Sequence, residues 1–367
     1  MKTIARAALV IVCSAALAGM QAPARPAPTR TQIAEGVYLY QTAPYGPVGL
    51  DGNSIVVLSD AGVLVFDTNG TPSAAEAVLS DIRRLTDKPV RYVVNSHWHW
   101  DHWYGTEVYT RAFPDAVVIA HEKTRQLMAG PAIEFNRPGL ETQLPRYIRM
   151  LEQQLAHVIT TGITNPDAQK TQNDLFAARF FLTQKSNARL VLPSHTFSNR
   201  LDLDLGTRQV QVLNFGRAIT PGDALVFLPA EKLLISGDLV LKPFPYALSV
   251  YPTEWLRALE QIDALDAAII VPGHGEPMRD ELHLQATMAV LRELLRQGSD
   301  AKKKGMNVET AKDLIFTNMR DLMIKMTGDS PSAHAAFKTQ MVDWFLHRVY
   351  EELDGPLTDA IAPIPAK

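Results

Sequence analysis

The sequence predicts an α+β fold in which two β-rich halves carry flanking helices and a helical tail follows. Short apolar runs broken by turn residues fill 33–66 and return across about 190–236. Segments of 3.6-residue period interrupt them at 73–85 and about 253–265, and the last 85 or so residues turn helical throughout.

The chain opens with Lys2 and Arg6 before an apolar run from Ala7 to Leu17, and Ala16-Leu17-Ala18 offers a small-x-small cleavage site. This is the pattern of a secretory signal peptide over 1–18 and predicts a periplasmic or secreted protein. Cys13, the only cysteine, lies inside that signal, so the exported chain would carry no disulfide. Residues 19–30, with Pro23, Pro26 and Pro28 among alanines, read as a flexible spacer, and structure is expected from near Ile33. No later segment reaches the roughly 18–20 apolar residues of a membrane span. Removing Lys2 and Arg6 takes the formal charge from −3 to −5, an acidic balance that argues against nucleic acid and leaves a small molecule as the expected partner. The sequence does not set the oligomeric state.

Val37–Tyr40, Asn53–Ser59 and Gly62–Phe66 read as antiparallel strands, the last ending at Asp67-Thr68-Asn69-Gly70. A helix from Ser73 to Leu85 follows, then a buried strand from Arg91 to Asn95 that delivers a histidine-rich loop. Val117–Ala120 repeats the device and ends at His121. Residues from about 130 to 185 read as a helical insertion or lid, with Leu144–Ile159 its best segment. Strands resume at Leu190–Leu192, Arg200–Leu205, Val210–Asn214, Ala224–Leu228, Leu233–Ser236 and, after a helix over Thr253–Leu265, at Ala268–Val271. Three helical stretches near 280–303, 308–326 and 331–353 close the chain. The main domain is thus expected over 31–280 and the helical extension over 281–367.

Residues 97–105 read H-W-H-W-D-H-W-Y-G and place four candidate metal ligands, His97, His99, Asp101 and His102, within six positions. On an extended segment His97, His99 and Asp101 project to one side, and His102 follows where the backbone turns. Imidazole and carboxylate suit zinc, which lowers the pKa of bound water towards neutrality. Asp238, in Ser236-Gly237-Asp238, and His274, in Pro272-Gly273-His274-Gly275, each follow a buried strand beside glycine. Either alone reads as a turn; with the cluster they read as further ligands.

In this order, H-x-H-x-D-H, strand-G-D and P-G-H-G resemble the metallo-β-lactamase superfamily over roughly residues 33–280. The resemblance implies a four-layer αβ/βα sandwich with a metal site at one edge. It implies His97 and His99 as first-site ligands, Asp101, His102 and His274 as second-site ligands, and Asp238 as a bridging carboxylate. Many relatives carry a further first-site histidine in a stretch like G-R-A-H-T-P-G-D, where this chain reads Gly216-Arg217-Ala218-Ile219-Thr220-Pro221-Gly222-Asp223. Ile219 cannot coordinate, so the first site is expected to be weak or lost and the second complete, with one or two zinc ions per chain.

Asp101, His97 and His99 are the catalytic candidates, His97 or His99 acting as base or orienting water if freed from coordination. His195 is a candidate substitute ligand, read more simply as a loop histidine, and His121 reads as structural. Asp67 reads either as a turn residue or as the acceptor of a hydrogen bond from a ligating histidine. Trp98, Trp100, Trp103 and Tyr104 either line a cleft or pack inward. The reading is an exported zinc-dependent hydrolase of an amide or ester, with a lactam or lactone as cyclic examples. A metal-binding or interaction protein without turnover is the alternative. Iron-dependent sulfur oxidation would need the histidine that Ile219 replaces, and flavin-linked di-iron chemistry a further domain.

Overall fold

The computed structural model describes residues 25–161 and 168–363. The expected signal over 1–18 lies outside them, as do the first residues of the expected spacer.

Seven strands form one sheet in chain order: β1 (Thr29–Ala34), β2 (Val37–Gln41), β3 (Ser54–Leu58), β4 (Val63–Phe66), β5 (Val90–Val94), β6 (Val117–His121) and β7 (His195–Phe197). The first four pair antiparallel and the rest parallel. The second sheet runs β12 (Ile269–Pro272), β11 (Leu233–Gly237), β10 (Leu225–Leu228), β9 (Arg208–Leu213), β8 (Arg200–Leu205).

Alternation along the strands builds the layers. Ile55 and Val57 of β3, with Val226 and Leu228 of β10, fill the space between the sheets. Val56 faces outward against α1 (Pro72–Leu85), whose Ala75, Val78, Leu79 and Ile82 form one buried stripe. On the other side Leu225 and Phe227 pack on α8 (Pro252–Asp263) through Trp255, Ala258 and Leu259. The result is the expected αβ/βα sandwich.

Two helical additions flank it. The insertion comprises α5 (Pro131–Pro138), a wide turn at Gly139–Gln143, α6 (Leu144–Thr161) and α7 (Ala168–Asn187). Leu151, Leu155, Leu175 and Phe181 give it a core of its own, which Tyr45 joins from the β2–β3 loop. The extension, α9 (Leu282–Lys303), α10 (Val308–Asn318), α11 (Arg320–Thr327), α12 (Pro331–Ala336) and α13 (Trp344–Asp354), adds Leu294, Met323 and Phe345 to the core beneath α8.

Two expectations fail locally. Structure starts before Ile33, because Thr29 to Gln32 pair with Gln41 to Tyr38, so the expected spacer ends inside β1. Leu190–Leu192 is no strand: Leu190 and Leu192 pack against the cluster of Trp98 and Trp103, and β7 begins at His195, beyond Pro193.

Candidate metal centre

The ligand loop leaves β5 through Asn95 and Ser96, held by Asn95 N–H donating to Ile119 O at 2.9 Å. It bends at His97 and Trp98, is extended at His99 and then enters one helical turn, α2 (Trp100–Trp103). The turn comes earlier than the sequence suggests, so Asp101 and His102 project from helix rather than strand. Buried Trp98 and Trp103 anchor it, Trp103 Nε1 donating to Trp98 O at 3.0 Å.

Asp238 follows Gly237, which takes a positive φ of 52° at the end of β11. A Cβ at Gly273 would sit 2.0 Å from Asp238 Oδ1, so the P-G-H-G turn closes on the carboxylate only because residue 273 lacks one. Asn53 holds that turn, its Nδ2 donating to Pro272 O and Gly275 O at 2.9 Å each.

The six predicted residues converge. His102 Nε2 lies 3.2 Å from Asp238 Oδ1 and 3.4 Å from Asp101 Oδ2, and His274 Nε2 lies 3.0 Å from Asp101 Oδ2 and 3.7 Å from Asp238 Oδ1. On the other side His97 Nε2 lies 3.6 Å from Asp238 Oδ2, and the His99 ring stands 4.4 Å from that of His97. Among the described residues two groups can each hold an ion: Asp101, His102, His274, and His97, His102, Asp238. His99 joins neither group.

His97 Nε2, His102 Nε2 and Asp238 Oδ1 are buried without a hydrogen-bond partner among the described residues. Three such atoms side by side are costly in a bare protein and are the donor set a divalent cation takes. Burial pushes the Asp101 and Asp238 carboxyls up, but His102 and His274 outweigh it and hold both below the usual range. Burial, with His102 and His99 adding to it, lowers His97 well below an ordinary imidazole.

The far nitrogens are also set. His102 Nδ1 donates to Asp67 Oδ2 at 2.7 Å, which resolves Asp67 as an acceptor and leaves Nε2 as the nitrogen that faces Asp101 and Asp238. Ser96 N and Oγ donate to the same carboxylate at 2.7 Å each. With its proton so committed, Ser96 Oγ accepts from His97 Nδ1 at 2.9 Å, and His97 Nε2 is freed in turn. Ser96 and Asn53 escaped the sequence reading, since a serine after a strand and an asparagine before one carry no signal of their own.

Ile219 is buried, packed among Leu213, Ala218 and Trp255. Its turn is tied by Thr220 N and Oγ1 donating to Asp223 at 2.9 and 2.8 Å. Exposed His195 opens β7 and joins neither ligand group. His121 caps α4 (Glu122–Met128), accepting from Lys123 N at 3.2 Å, a structural role.

A family model described as the metallo-β-lactamase superfamily matches residues 47–274. A linear primary-alkylsulfatase of Pseudomonas sp. (strain ATCC 19151) is 22% identical over 263 residues, covering 67% of this chain and 46% of that protein. The chain therefore spans about half the length of that relative. Among solved structures, a metallo-β-lactamase from Pontibacter korlensis is similar in fold, with TM-score 0.51 and 20% identity over 72% of this chain and 99% of that one. The DIM-1 metallo-β-lactamase gives 0.50 and 17% over 73% and 99%.

Proposed function

The chain belongs to the metallo-β-lactamase superfamily, and from that premise we propose that it is an exported, zinc-dependent hydrolase of a small-molecule amide or ester. Lactams and lactones fall within this class, and the alkylsulfatase relative extends the ester side to sulfate esters. The observation that carries the reading is the set of buried, partnerless atoms His97 Nε2, His102 Nε2 and Asp238 Oδ1.

Asp101, His102, His274 and Asp238 would hold one zinc ion. His97, His99 and the second oxygen of Asp238 would form a weaker position, since Ile219 supplies no donor. Zinc there supplies Lewis acidity and a water that loses its proton near neutral pH. Asp67 keeps the His102 proton on Nδ1, so Nε2 stays turned to the centre. His97 Nε2, low in pKa and with its proton held on Nδ1 by Ser96, is a neutral acceptor for a proton released in the centre. The partly exposed Asp101, His99 and His274 mark the side from which substrate enters.

The test is zinc content after purification, followed by hydrolysis of carboxylic ester, lactam and sulfate ester substrates before and after chelation. Turnover lost with chelator and regained with zinc is the expected result. Metal bound without turnover of any of these bonds would favour a non-catalytic metal-binding protein, the reading that Ile219 supports.

A further inference from the structure

A cavity of about 500 Å³ lies between the insertion and the ligand loop, walled by Trp100, Tyr104, Leu144, Tyr147, Phe181 and Lys185 among others. Trp100, which lines it, stands between His99 and Asp101 in the chain, and Asp101 lies near enough to act on the charge of Lys185. Its lining is mostly apolar or aromatic, with Arg137, Glu141 and Gln143 exposed at the rim and one buried anomaly. Lys185, on α7, is buried, and its Nζ has no hydrogen-bond partner and no ion pair among the described residues. The amine rests on ring faces, 3.6 Å from the Tyr104 centroid and 3.8 Å from that of Trp100. Rim Arg137 differs, being already paired with Glu134.

Ring faces repay only part of what burying a charge costs. Burial accordingly pushes the Lys185 amine well below its ordinary pKa, against the pull of Asp101 and Asp51. An anion entering the cavity would supply what the protein withholds. It would draw the proton onto the amine, whereas a second cation would keep it off and a neutral molecule would leave the amine without a charged partner.

We propose that this cavity binds an apolar molecule bearing one anionic group, a carboxylate or a sulfate, and that Lys185 Nζ holds the anion while the apolar body lies on Trp100 and Phe181. The inference rests on the hydrolase reading in taking this molecule as the substrate of the adjoining centre. It places an anion-recognition site on the insertion, apart from the metal ligands.

Binding tests it without turnover. Titration calorimetry of the zinc-loaded full chain with octanoate, octyl sulfate and 1-octanol compares two anions with their neutral counterpart. At least one anion is expected to bind ten-fold or more tighter than octanol. In Lys185→Met, which keeps the apolar stem and adds no buried charge, that preference disappears while zinc content and melting temperature hold. In Lys185→Arg, which keeps the charge, the preference persists. Octanol binding as tightly as both anions, no binding of either anion, or an undiminished preference in Lys185→Met would overturn the proposal. Anion binding through Lys185 in a protein that turns over none of the three bond classes would overturn the hydrolase reading and leave the site standing.

Discussion

The two halves of the ligand cluster share one carboxylate, Asp238, yet they are built to different standards. On the His102 side, His102, Asp101, His274 and Asp238 Oδ1 close on one another within 3.0 to 3.7 Å. On the His97 side, His97 meets Asp238 Oδ2 at 3.6 Å, His99 joins neither donor group, and Ile219 is turned into the core. Orienting a histidine and completing its coordination are thus separate devices: Ser96 aligns His97 as carefully as Asp67 aligns His102.

The largest expected effect breaks the stronger half. His102→Ala should weaken zinc binding at least about a thousand-fold, roughly 4 kcal/mol, whereas His97→Ala leaves most of the metal in place. Metal content after dialysis of both variants decides it, and equal losses would erase the asymmetry. Ile219→His attacks the weaker half in the opposite direction. Burying an imidazole in that apolar site should cost ~2–4 kcal/mol without metal and recover much of it with zinc, raising the stoichiometry towards two. Calorimetric melting with and without zinc would show this, and unchanged zinc dependence would mean that the slot does not face the centre.

Asp67→Asn should act on both halves. With one acceptor oxygen left for three donors, zinc affinity is expected to fall 10- to 100-fold, measurable by competition with a chelating dye. A separate effect, on stability rather than on metal binding, is in pH. Burial pushes the Asp223 carboxyl, which ties the Ile219 turn, up to about 7. Its folded pKa lies above the unfolded value, so between about pH 4 and 7 the folded state holds a proton that the unfolded chain has lost. This group's contribution therefore declines as pH rises, by about 1 kcal/mol per unit, and levels off above 7. Urea unfolding of the parent and Asp223→Asn across that range should show the slope only in the parent.

What the sequence made legible follows from distance along the chain. His97 to His102 announce themselves because six neighbours carry the chemistry, and Asp238 and His274 because each ends a buried strand beside glycine. Asn53 works on a turn more than two hundred residues away, and Lys185 meets Trp100 only after the insertion has folded back, so neither leaves a local pattern. Leu190 and Leu192 misled because two leucines packing on a tryptophan cluster resemble a short strand, while the real edge strand at His195–Phe197 is mostly exposed and shows no apolar run. The layers themselves were readable, since sheet alternation and the stripe on α1 are written within single elements.

The hydrogen bonds from His102 Nδ1 and Ser96 to Asp67 give the centre a single carboxylate that orients a histidine on each side, His102 directly and His97 through Ser96. Parts wired to one anchor cannot be discarded one at a time: dismantling the support of His97 would disturb that of His102. Residue 219 belongs to a different turn, tied to Asp223 instead. Its side chain packs into the core and takes no part in the hydrogen bonds that orient His97 and His102.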